Sequence, residues 1–435
     1  MLKKLYFDFR DVLRAPRLGF SAKKVWVQFQ GLVVGLFGYG VLAYVALLLN
    51  GATLGEIWYT YGALPVPLCF TSNLFAGMEW YLWIIVGLGV LWALVIGLMA
   101  ATATAKLTYE QLRGNDFYSK KEAWRFARKH ASAVILSPVG MAIVVAVLIG
   151  GGLLIGLIAG TGAVGAWLTS AFYPVIMAIT IFTVYLVLIV LVGMIIAPAV
   201  VATTKNDTFE TIFELFSTAS AQPWRLVVYN ILLGIVMGIA GVILIVFVVL
   251  ALKLMQTVFG LTWGSDFTAY VFPQAGAYTY AFLKAPASIV QYGTMNCVYQ
   301  ASLQTGIPMM DIIYSVPGLN WIAWLSMAPL AVAPGAGLQV AAIIYTVWTV
   351  ILLGLIVSYF TSTFHVGQTL IYIALRKRKD DENLLERKDY EEEFPEFEVP
   401  EETEEGKEGA EAKEETKEPE KVEETKDDKT GDKDG

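Results

Sequence analysis

Six segments of this chain are long and apolar enough to cross a membrane as helices. A helix rises about 1.5 Å per residue, so about 20 mostly apolar residues span the hydrocarbon core of a bilayer. Only 16% of all residues are charged, and few of them fall in these segments. The expected spans are Val25–Leu49, Trp80–Ala105, Ala131–Ala159, Tyr173–Val201, Leu226–Leu252 and Val340–Ala374. The sequence therefore predicts an all-α fold, a polytopic membrane helix bundle of six transmembrane helices.

A short amphipathic stretch precedes each pair of spans, beginning near Leu2, Ser119 and Asp207. Its apolar residues recur at the three- and four-residue spacing of one helix face. They are Leu5, Phe9, Val12 and Leu13 in the first stretch, Ala123, Trp124, Ala127 and Ala131 in the second, and Phe209, Ile212, Phe213 and Phe216 in the third. This recurrence predicts three pseudo-repeated units, each an interfacial helix followed by a transmembrane hairpin. The units are about 1–105, 106–201 and 202–375.

The second stretch is the best candidate for a helix on the membrane surface. Ser119 and Glu122 have the spacing of a capping box, as do Asp207 and Glu210 in the third stretch. The apolar face would enter lipid while basic side chains meet anionic headgroups, at about 1 kcal/mol each. These basic residues are Lys120, Lys121, Arg125, Arg128 and Lys129. The alternative is packing on neighbouring protein, which the nearly uncharged third stretch favours.

The distribution of lysine and arginine predicts the orientation of the chain in a cell membrane. Seven basic residues precede span one, and seven lie between spans two and three. None lies between spans one and two or between spans three and four. Cytoplasmic flanks retain positive charge during insertion. We therefore expect a multi-pass protein of the cytoplasmic membrane with both termini in the cytoplasm.

The last part of the chain differs in composition from the rest, because residues 376–435 contain 26 acidic and 13 basic residues. Few apolar residues are available there to offset the entropy of ordering. Residues 379–435 are therefore expected to form a disordered acidic cytoplasmic tail after a membrane domain at 1–378. Three apolar residues interrupt the acidic sequence: Phe394, Phe397 and Val399. Their spacing favours docking on a protein partner, and a solvating brush is the alternative.

Two outer segments, 50–79 and 253–339, are too apolar and aromatic for ordinary solvated loops. Aromatic rings favour the headgroup zone, and the prolines of the second segment exclude one long spanning helix. We expect 253–339 to form an outer aromatic cap of short helices, with a re-entrant segment at 320–336 as the alternative. Cys69 and Cys297 fall in these segments, either as a disulfide or as two buried thiols.

Catalytic and metal-binding patterns are missing from the sequence. It has two histidines, far apart, and no zinc, nucleotide-binding or nucleophile motif. No enzymatic activity and no cofactor or metal are therefore expected, and nothing favours nucleic acid as a partner. The candidate functional residues are then polar groups inside the spans, because unpaired polar groups are costly in lipid. They are Gln30, Asn230, His365 and Gln368.

Each of these candidates also has a structural interpretation. Asn230 and Gln30 would bond each other or backbone carbonyls across helices. His365 is either a proton carrier, since imidazole titrates near neutral pH, or a packing residue. Glycines at four-residue spacing favour close packing within the chain, with a homodimer seam as the alternative. They are Gly31/Gly35, Gly152/Gly156/Gly160 and Gly234/Gly238.

The stretch Thr369-Leu-Ile-Tyr-Ile-Ala-Leu-Arg376 closes the last span, after the recurring layout of interfacial helix and hairpin. In this the chain resembles uncharacterised prokaryotic six-span membrane proteins of the glycerophosphodiester phosphodiesterase membrane-domain type, over residues 1–378. The sequence contains no catalytic phosphodiesterase domain, so the resemblance implies no such activity. Two hypotheses remain. One is a non-enzymatic membrane scaffold or adaptor with a partner-binding acidic tail; the other is a transporter or lipid-handling protein with a cavity between the pseudo-repeats.

Overall fold

The computed structural model describes residues 5–67, 74, 75, 77–264, 270–284 and 335–386. Some predictions concern residues outside these ranges and stay predictions. They are the disordered tail from residue 387 onwards, its docking residues Phe394, Phe397 and Val399, the cysteines Cys69 and Cys297, and nearly all of the re-entrant segment at 320–336. The first part of the predicted tail, 379–386, is described, and the expectation of disorder is wrong there because Leu384 and Leu385 are buried against the helices.

The described residues form helices and no β-strand. In chain order these are α1 (Phe9–Val12), α2 (Ala15–Gly19), α3 (Ala22–Leu49), α4 (Leu54–Tyr61), α5 (Trp80–Arg113), α6 (Lys120–Lys129), α7 (Ala131–Ala159), α8 (Ala163–Ala171), α9 (Tyr173–Thr204), α10 (Thr208–Ala221), α11 (Pro223–Trp263), α12 (Phe272–Phe282) and α13 (Ala336–Asp380). Six of them, α3, α5, α7, α9, α11 and α13, are long and apolar enough to cross a membrane. The predicted all-α, polytopic helix bundle is confirmed.

The helix α7 has the predicted bounds, whereas the other five spanning helices are longer than predicted. In α5 the helix continues past Ala105 to Arg113. Hydropathy marks where a helix leaves lipid, but the polar turns beyond that point stay helical when protein covers them. All five residues from Lys106 to Glu110 are buried. The α5 extension is therefore part of the protein core.

The largest buried cluster lies at one end of the bundle, which we call the charged end because it contains Arg376. The cluster combines residues of α5, α9 and α13 with α10, the first turns of α11 and the N-terminal helices α1 and α2. Residues 196–203 of α9 and 366–375 of α13 are buried without interruption. A second buried cluster joins α3, α4 and the start of α5, and it includes Tyr39, Tyr61 and Leu82. Many other large apolar side chains of the spanning helices face outwards, as Phe247 does with 73% of its surface exposed. Such side chains are expected to contact acyl chains in a membrane.

Each short segment before a hairpin packs on a long helix at the charged end. The helix α6 packs on α5, where Phe126 contacts Ala105, and α10 packs on α9 and α7. The N-terminal segment packs on α13, where Ser362 Oγ donates to the Gly19 carbonyl oxygen at 3.0 Å. The packing of a short segment on a long helix thus occurs three times along the described part of the chain. The pseudo-repeat units themselves stay a prediction.

The apolar face of α6 lies on protein. Ala123, Phe126 and Ala127 are buried, and Trp124 Nε1 donates to Gln30 Oε1 on α3 at 3.2 Å. The structure therefore has the alternative arrangement considered for this stretch, and the expectation that this face enters lipid is wrong. The physical reason is that the buried end of α5 offers α6 an apolar surface of its own.

The helix α10 has two different faces. Thr211 and Leu215 are buried, whereas Phe209 and Phe213 are 75% and 68% exposed. The third stretch therefore contacts protein with one face, as expected, and presents aromatic rings on the other. Exposed rings in an amphipathic helix favour the lipid boundary. Compared with the second stretch, the third therefore has the exposed face better suited to lipid.

The two expected capping boxes have different outcomes. At α6 the box is present, because Ser119 and Glu122 exchange hydrogen bonds of 2.7 and 3.2 Å. At α10 the Asp207 side chain makes no capping bond, so the expectation there is wrong. Instead Thr211 Oγ1 donates to the Asp207 carbonyl oxygen at 2.7 Å.

The glycine pairs also divide into two groups. A Cβ atom at Gly31 would overlap the Cβ of Ala100, so α3 and α5 touch there only because this side chain is absent. By contrast, a Cβ at Gly152, Gly156 or Gly234 would meet no described atom within 4 Å. Packing within the chain therefore explains the first pair. The homodimer alternative stays a prediction for the others.

The contrast between Gly31 and Gly152 gives a stability test. We expect Gly31→Leu to lower the stability of the detergent-solubilised protein by about 1–3 kcal/mol, because the new side chain forces α3 away from α5. The matched variant Gly152→Leu places the same side chain in open space and should leave the midpoint of thermal unfolding unchanged. Equal midpoints for the two variants would contradict the α3–α5 contact.

Candidate functional site

The most concentrated set of charges at the charged end surrounds Glu214 on α10. Helical spacing places Glu214 on the same face as Thr211, Leu215 and Thr218, all of which are buried. The Glu214 side chain therefore points into the protein, and only 11% of its surface is exposed. A carboxylate in such a position needs partners, because burial disfavours its charged form.

Those partners come mainly from the last turns of α13. Arg376 forms an ion pair with Glu214, and Lys379 Nζ lies 3.5 Å from Glu214 Oε1. Tyr372 Oη and Thr218 Oγ1 donate to the same oxygen at 3.3 and 3.1 Å. Burial alone would raise the pKa of Glu214, but the hydrogen bond and positive charge of Arg376 outweigh it and lower that pKa. The carboxylate is therefore ionised at neutral pH.

Arg376 connects this carboxylate to the residues that follow α13. Its guanidinium contacts Asp380 at 2.9 Å and Glu382 at 3.1 Å, in addition to Glu214. We call these residues the Glu214–Arg376 cluster: Glu214, Tyr372, Arg376, Lys379, Asp380 and Glu382. One guanidinium with three carboxylates around it fixes the direction in which the chain leaves α13.

A second ion pair joins the same helix end to the N-terminal segment. Arg378 pairs with Asp8 and donates from Nε to the Phe7 carbonyl oxygen at 3.1 Å. Asp11, which is 1% exposed, accepts from the Phe7 backbone N–H at 2.7 Å. Burial raises the pKa of Asp11. The N-terminal segment, α10 and α13 are thus joined by charge as well as by apolar packing.

The chain beyond α13 returns to the bundle. Leu384 and Leu385 are buried in the largest core cluster. The Leu384 carbonyl oxygen accepts a 2.7 Å hydrogen bond from Tyr109 Oη on α5. Leu384 and Leu385 are therefore held against the charged end.

The amide candidates pair with residues other than those expected. Gln368 Nε2 donates to Asn230 Oδ1 at 2.6 Å, which joins α13 to α11. Asn230 also donates to the Leu226 carbonyl oxygen in its own helix at 2.8 Å. Gln30 accepts from Trp124, so Asn230 and Gln30 do not bond each other. The pairing proposed between them is wrong because they lie on helices whose polar groups face different neighbours.

His365 has no carboxylate against it among the described residues. Its Nδ1 is buried without a hydrogen-bond partner there, and the nearest ring contact is an edge-on approach of Phe364 at 5.3 Å. Proton transfer needs a donor or acceptor within hydrogen-bond reach. This geometry favours the packing interpretation over the proton carrier.

Sequence reasoning missed a buried ion pair on α5. Lys106 Nζ lies 2.8 Å from Glu110 Oε1, and both side chains are at least 90% buried. The ammonium also lies 4.8 Å from the ring centroid of Phe126 on α6. The i, i+4 spacing of Lys106 and Glu110 was visible in the sequence, but such pairs are usually solvent-exposed. Only the packing of α6 shows that this one is covered.

The predicted lipid-surface residues of α6 lie on its outer face. Lys121, Arg125 and Arg128 are exposed, as are Lys120 and Lys129 at the two ends of the helix. Lys120 Nζ lies over the Trp26 ring at 5.3 Å from its centroid. The structure thus exposes all five side chains, and Lys121, Arg125 and Arg128 lie on the side of α6 opposite its buried residues.

A lateral groove of about 520 Å³ opens between α2, α11 and α13. Its walls are apolar apart from Arg17, and they include Phe20, Leu244, Phe247 and Tyr359. Along α11 it runs from Ala240 to Ala251, which is about 16 Å at 1.5 Å per residue. Its shape and lining are those of a site for an alkyl chain.

The contacts of the Glu214–Arg376 cluster join α10 to the end of α13. Each of its charges has an opposite charge in contact, and no group of three or more metal-binding side chains occurs among the described residues. An arrangement of this kind fixes the geometry of α10 relative to the end of α13. In comparisons with known proteins, no family model, curated protein or solved structure matches this chain.

Glu214→Gln tests the cluster. The substitution removes one of the three carboxylates around Arg376, which keeps Asp380 and Glu382, so we expect a loss of about 1.5–3 kcal/mol of stability at pH 7. Because the folded-state pKa of Glu214 is lowered, its contribution is present above the unfolded value of about 4.3 and is lost as pH falls through the folded pKa.

The measurement is thermal unfolding in detergent between pH 7 and pH 3. The difference between unmodified protein and Glu214→Gln should be largest at neutral pH and should disappear in acid. Asp381→Asn is the matched control, because Asp381 is exposed and pairs only with Lys377 in the described structure. A difference that does not change with pH would contradict an electrostatic role for Glu214.

Proposed function

We propose that this protein is a non-enzymatic scaffold or adaptor of the cytoplasmic membrane, with an acidic tail that binds a protein partner. Both termini lie in the cytoplasm in this proposal. The clustering of Arg376, Lys106 and the basic residues of α6 at one end of the bundle supports that orientation, since cytoplasmic flanks are enriched in lysine and arginine.

The observation that carries the proposal is the fixed origin of the tail. Leu384 and Leu385 are buried, Tyr109 bonds the Leu384 carbonyl oxygen, and Glu382 contacts Arg376. A tail that serves only as a solvating brush needs no such attachment. A binding arm benefits from it, because a fixed origin confines the bound partner to a defined distance from the membrane.

A second candidate function is lipid handling, which the lateral groove favours. Its apolar lining accommodates an acyl chain, and Arg17 offers a positive charge to an anionic headgroup. The described residues form no ion pair with Arg17. Transport would need a polar path across the bundle, and the side-chain amides of Asn230 and Gln368 are instead bonded to each other.

Affinity capture tests the scaffold proposal. Full-length protein and a variant ending after Glu386 are purified from the native membrane in mild detergent, and the co-purifying proteins are compared. We expect the truncated variant to lose one or more partners, and Phe394→Ala/Phe397→Ala in the full chain to lose the same ones, because these rings are the apolar groups available for docking. Identical partners in all three samples would contradict a binding arm.

Native mass spectrometry tests the lipid-handling candidate. Ala240→Trp fills the groove, so we expect it to retain fewer bound phospholipids than unmodified protein. Leu153→Trp is the control, since it adds the same ring on an exposed part of α7 away from the groove. Equal lipid retention by the two variants would contradict lipid binding in the groove.

A further inference from the structure

The lateral groove is made by parts of the chain that are far apart in the sequence. The helix α2 contributes Arg17 and Phe20, whereas α11 contributes residues between Ala240 and Ala251. Tyr359 of α13 also lines the groove, and its ring meets the Phe20 ring edge-on at 5.4 Å between centroids. The groove is therefore complete only when α2 is docked on α11 and α13.

The helix α2 lies at the end of the groove nearest the charged end. Gly19 of α2 packs on Thr363 of α13, with no room for a Cβ atom. Three residues earlier on α13, the Phe360 ring packs on Gly241 of α11 in the same way. The groove therefore begins level with α2 and runs along α11 away from the charged end. Arg17 lies at its polar mouth.

The lining of the groove is uncovered and carries one charge. Phe20, Ile243 and Phe247 are exposed, and Arg17 is the one charged residue in the lining. The Arg17 side chain is also exposed, and no carboxylate among the described residues forms an ion pair with it. A cation at the mouth of an apolar groove has the chemistry to bind an anionic molecule with an alkyl chain.

We propose that the groove binds an anionic phospholipid from the leaflet on the charged-end side of the membrane. Its phosphate lies at Arg17, and one acyl chain lies along α11. This inference deepens the second candidate function, and it rests on that function because it names the class of lipid for the same groove. Selection by headgroup charge separates it from lipid binding in general.

A bound lipid also stabilises the docking of the N-terminal helices α1 and α2. The bundle already holds them, because Ser362 Oγ donates to the Gly19 carbonyl oxygen and Arg378 pairs with Asp8. Since α2 is one wall of the groove, a lipid in the groove contacts α2 and α11 together. A ligand that binds only the docked state favours that state, and the coupling is reciprocal. Anionic lipid should therefore slow the local opening of residues 9–20.

Native mass spectrometry tests the charge selection. Protein is released from nanodiscs that contain equal amounts of phosphatidylglycerol and phosphatidylcholine, and each retained lipid is identified by its mass. Unmodified protein should retain phosphatidylglycerol in preference to phosphatidylcholine by roughly fivefold, the factor expected for one basic side chain near anionic lipid. Arg17→Gln should remove this preference, and Ala240→Trp should lower the retention of both lipids.

Arg10→Gln is the matched control. It removes the same charge from the neighbouring helix α1, and Arg10 is exposed and outside the groove. This variant should keep the preference of the unmodified protein.

Hydrogen–deuterium exchange tests the coupling in the same proteins. Exchange in residues 9–20 should be several-fold slower in phosphatidylglycerol nanodiscs than in phosphatidylcholine nanodiscs. Arg10→Gln should show the same difference, because it leaves the groove intact. Arg17→Gln should exchange equally in the two lipids. Exchange in 9–20 that is independent of lipid in the unmodified protein would contradict the coupling.

The results that would overturn the proposal differ from those that would overturn lipid handling. If Ala240→Trp lowers lipid retention but Arg17→Gln keeps the preference, the selection by charge is wrong and lipid handling stands. If Ala240→Trp changes nothing, the groove binds no lipid and both are wrong. An equal loss of preference in Arg10→Gln and Arg17→Gln would assign the effect to the net charge of the N-terminal helices and overturn the proposal.

Discussion

The charged end of the bundle depends on one constraint, the burial of ionised side chains where long helices leave the apolar zone. α5, α9 and α13 all continue past their apolar stretches, and their polar turns are covered by other parts of the chain. Glu214 and Arg376 satisfy this constraint between α10 and α13, and Lys106 and Glu110 satisfy it within α5. Separating Lys106 from Glu110 would leave buried charges without their counter-charge, which costs several kcal/mol. Separating Glu214 from Arg376 would remove one of several counter-charges in the Glu214–Arg376 cluster. The buried ion pairs therefore depend on the short helices α6 and α10, which cover them.

This arrangement places both buried ion pairs at one end of the molecule. Away from the charged end a second apolar cluster joins α3, α4 and the start of α5, while many other large apolar side chains of the spanning helices are exposed. At the charged end, apolar packing, ion pairs and the Tyr109–Leu384 hydrogen bond act on the same few turns of α5 and α13. A rigid end that carries a long acidic segment fits the proposed role as a membrane-held binding arm.

The spanning helices could be predicted from the sequence because the length of an apolar segment is a local property. The bounds of α7 followed directly from hydropathy, and the capping box of Ser119 and Glu122 followed from spacing. Hydrogen bonds between residues far apart in the sequence could not be predicted in this way. Gln30 contacts Trp124, and Asn230 contacts Gln368, because of how three helices pack, and no local pattern contains that information. Glu214 was overlooked for the same reason: on a short amphipathic helix, a glutamate is normally solvent-exposed, and only the position of α13 makes it buried.

Hydrogen–deuterium exchange of the unmodified protein and Glu214→Gln, compared in the same detergent, tests the central claim most directly. If the Glu214–Arg376 cluster holds the charged end together, the substitution should accelerate exchange in 366–386 and in the N-terminal segment 5–14. Exchange in α4, at the far end of α3, should stay the same. Unchanged exchange in 366–386, or an equal acceleration in α4, would contradict the claim that this ion pair holds the charged end together.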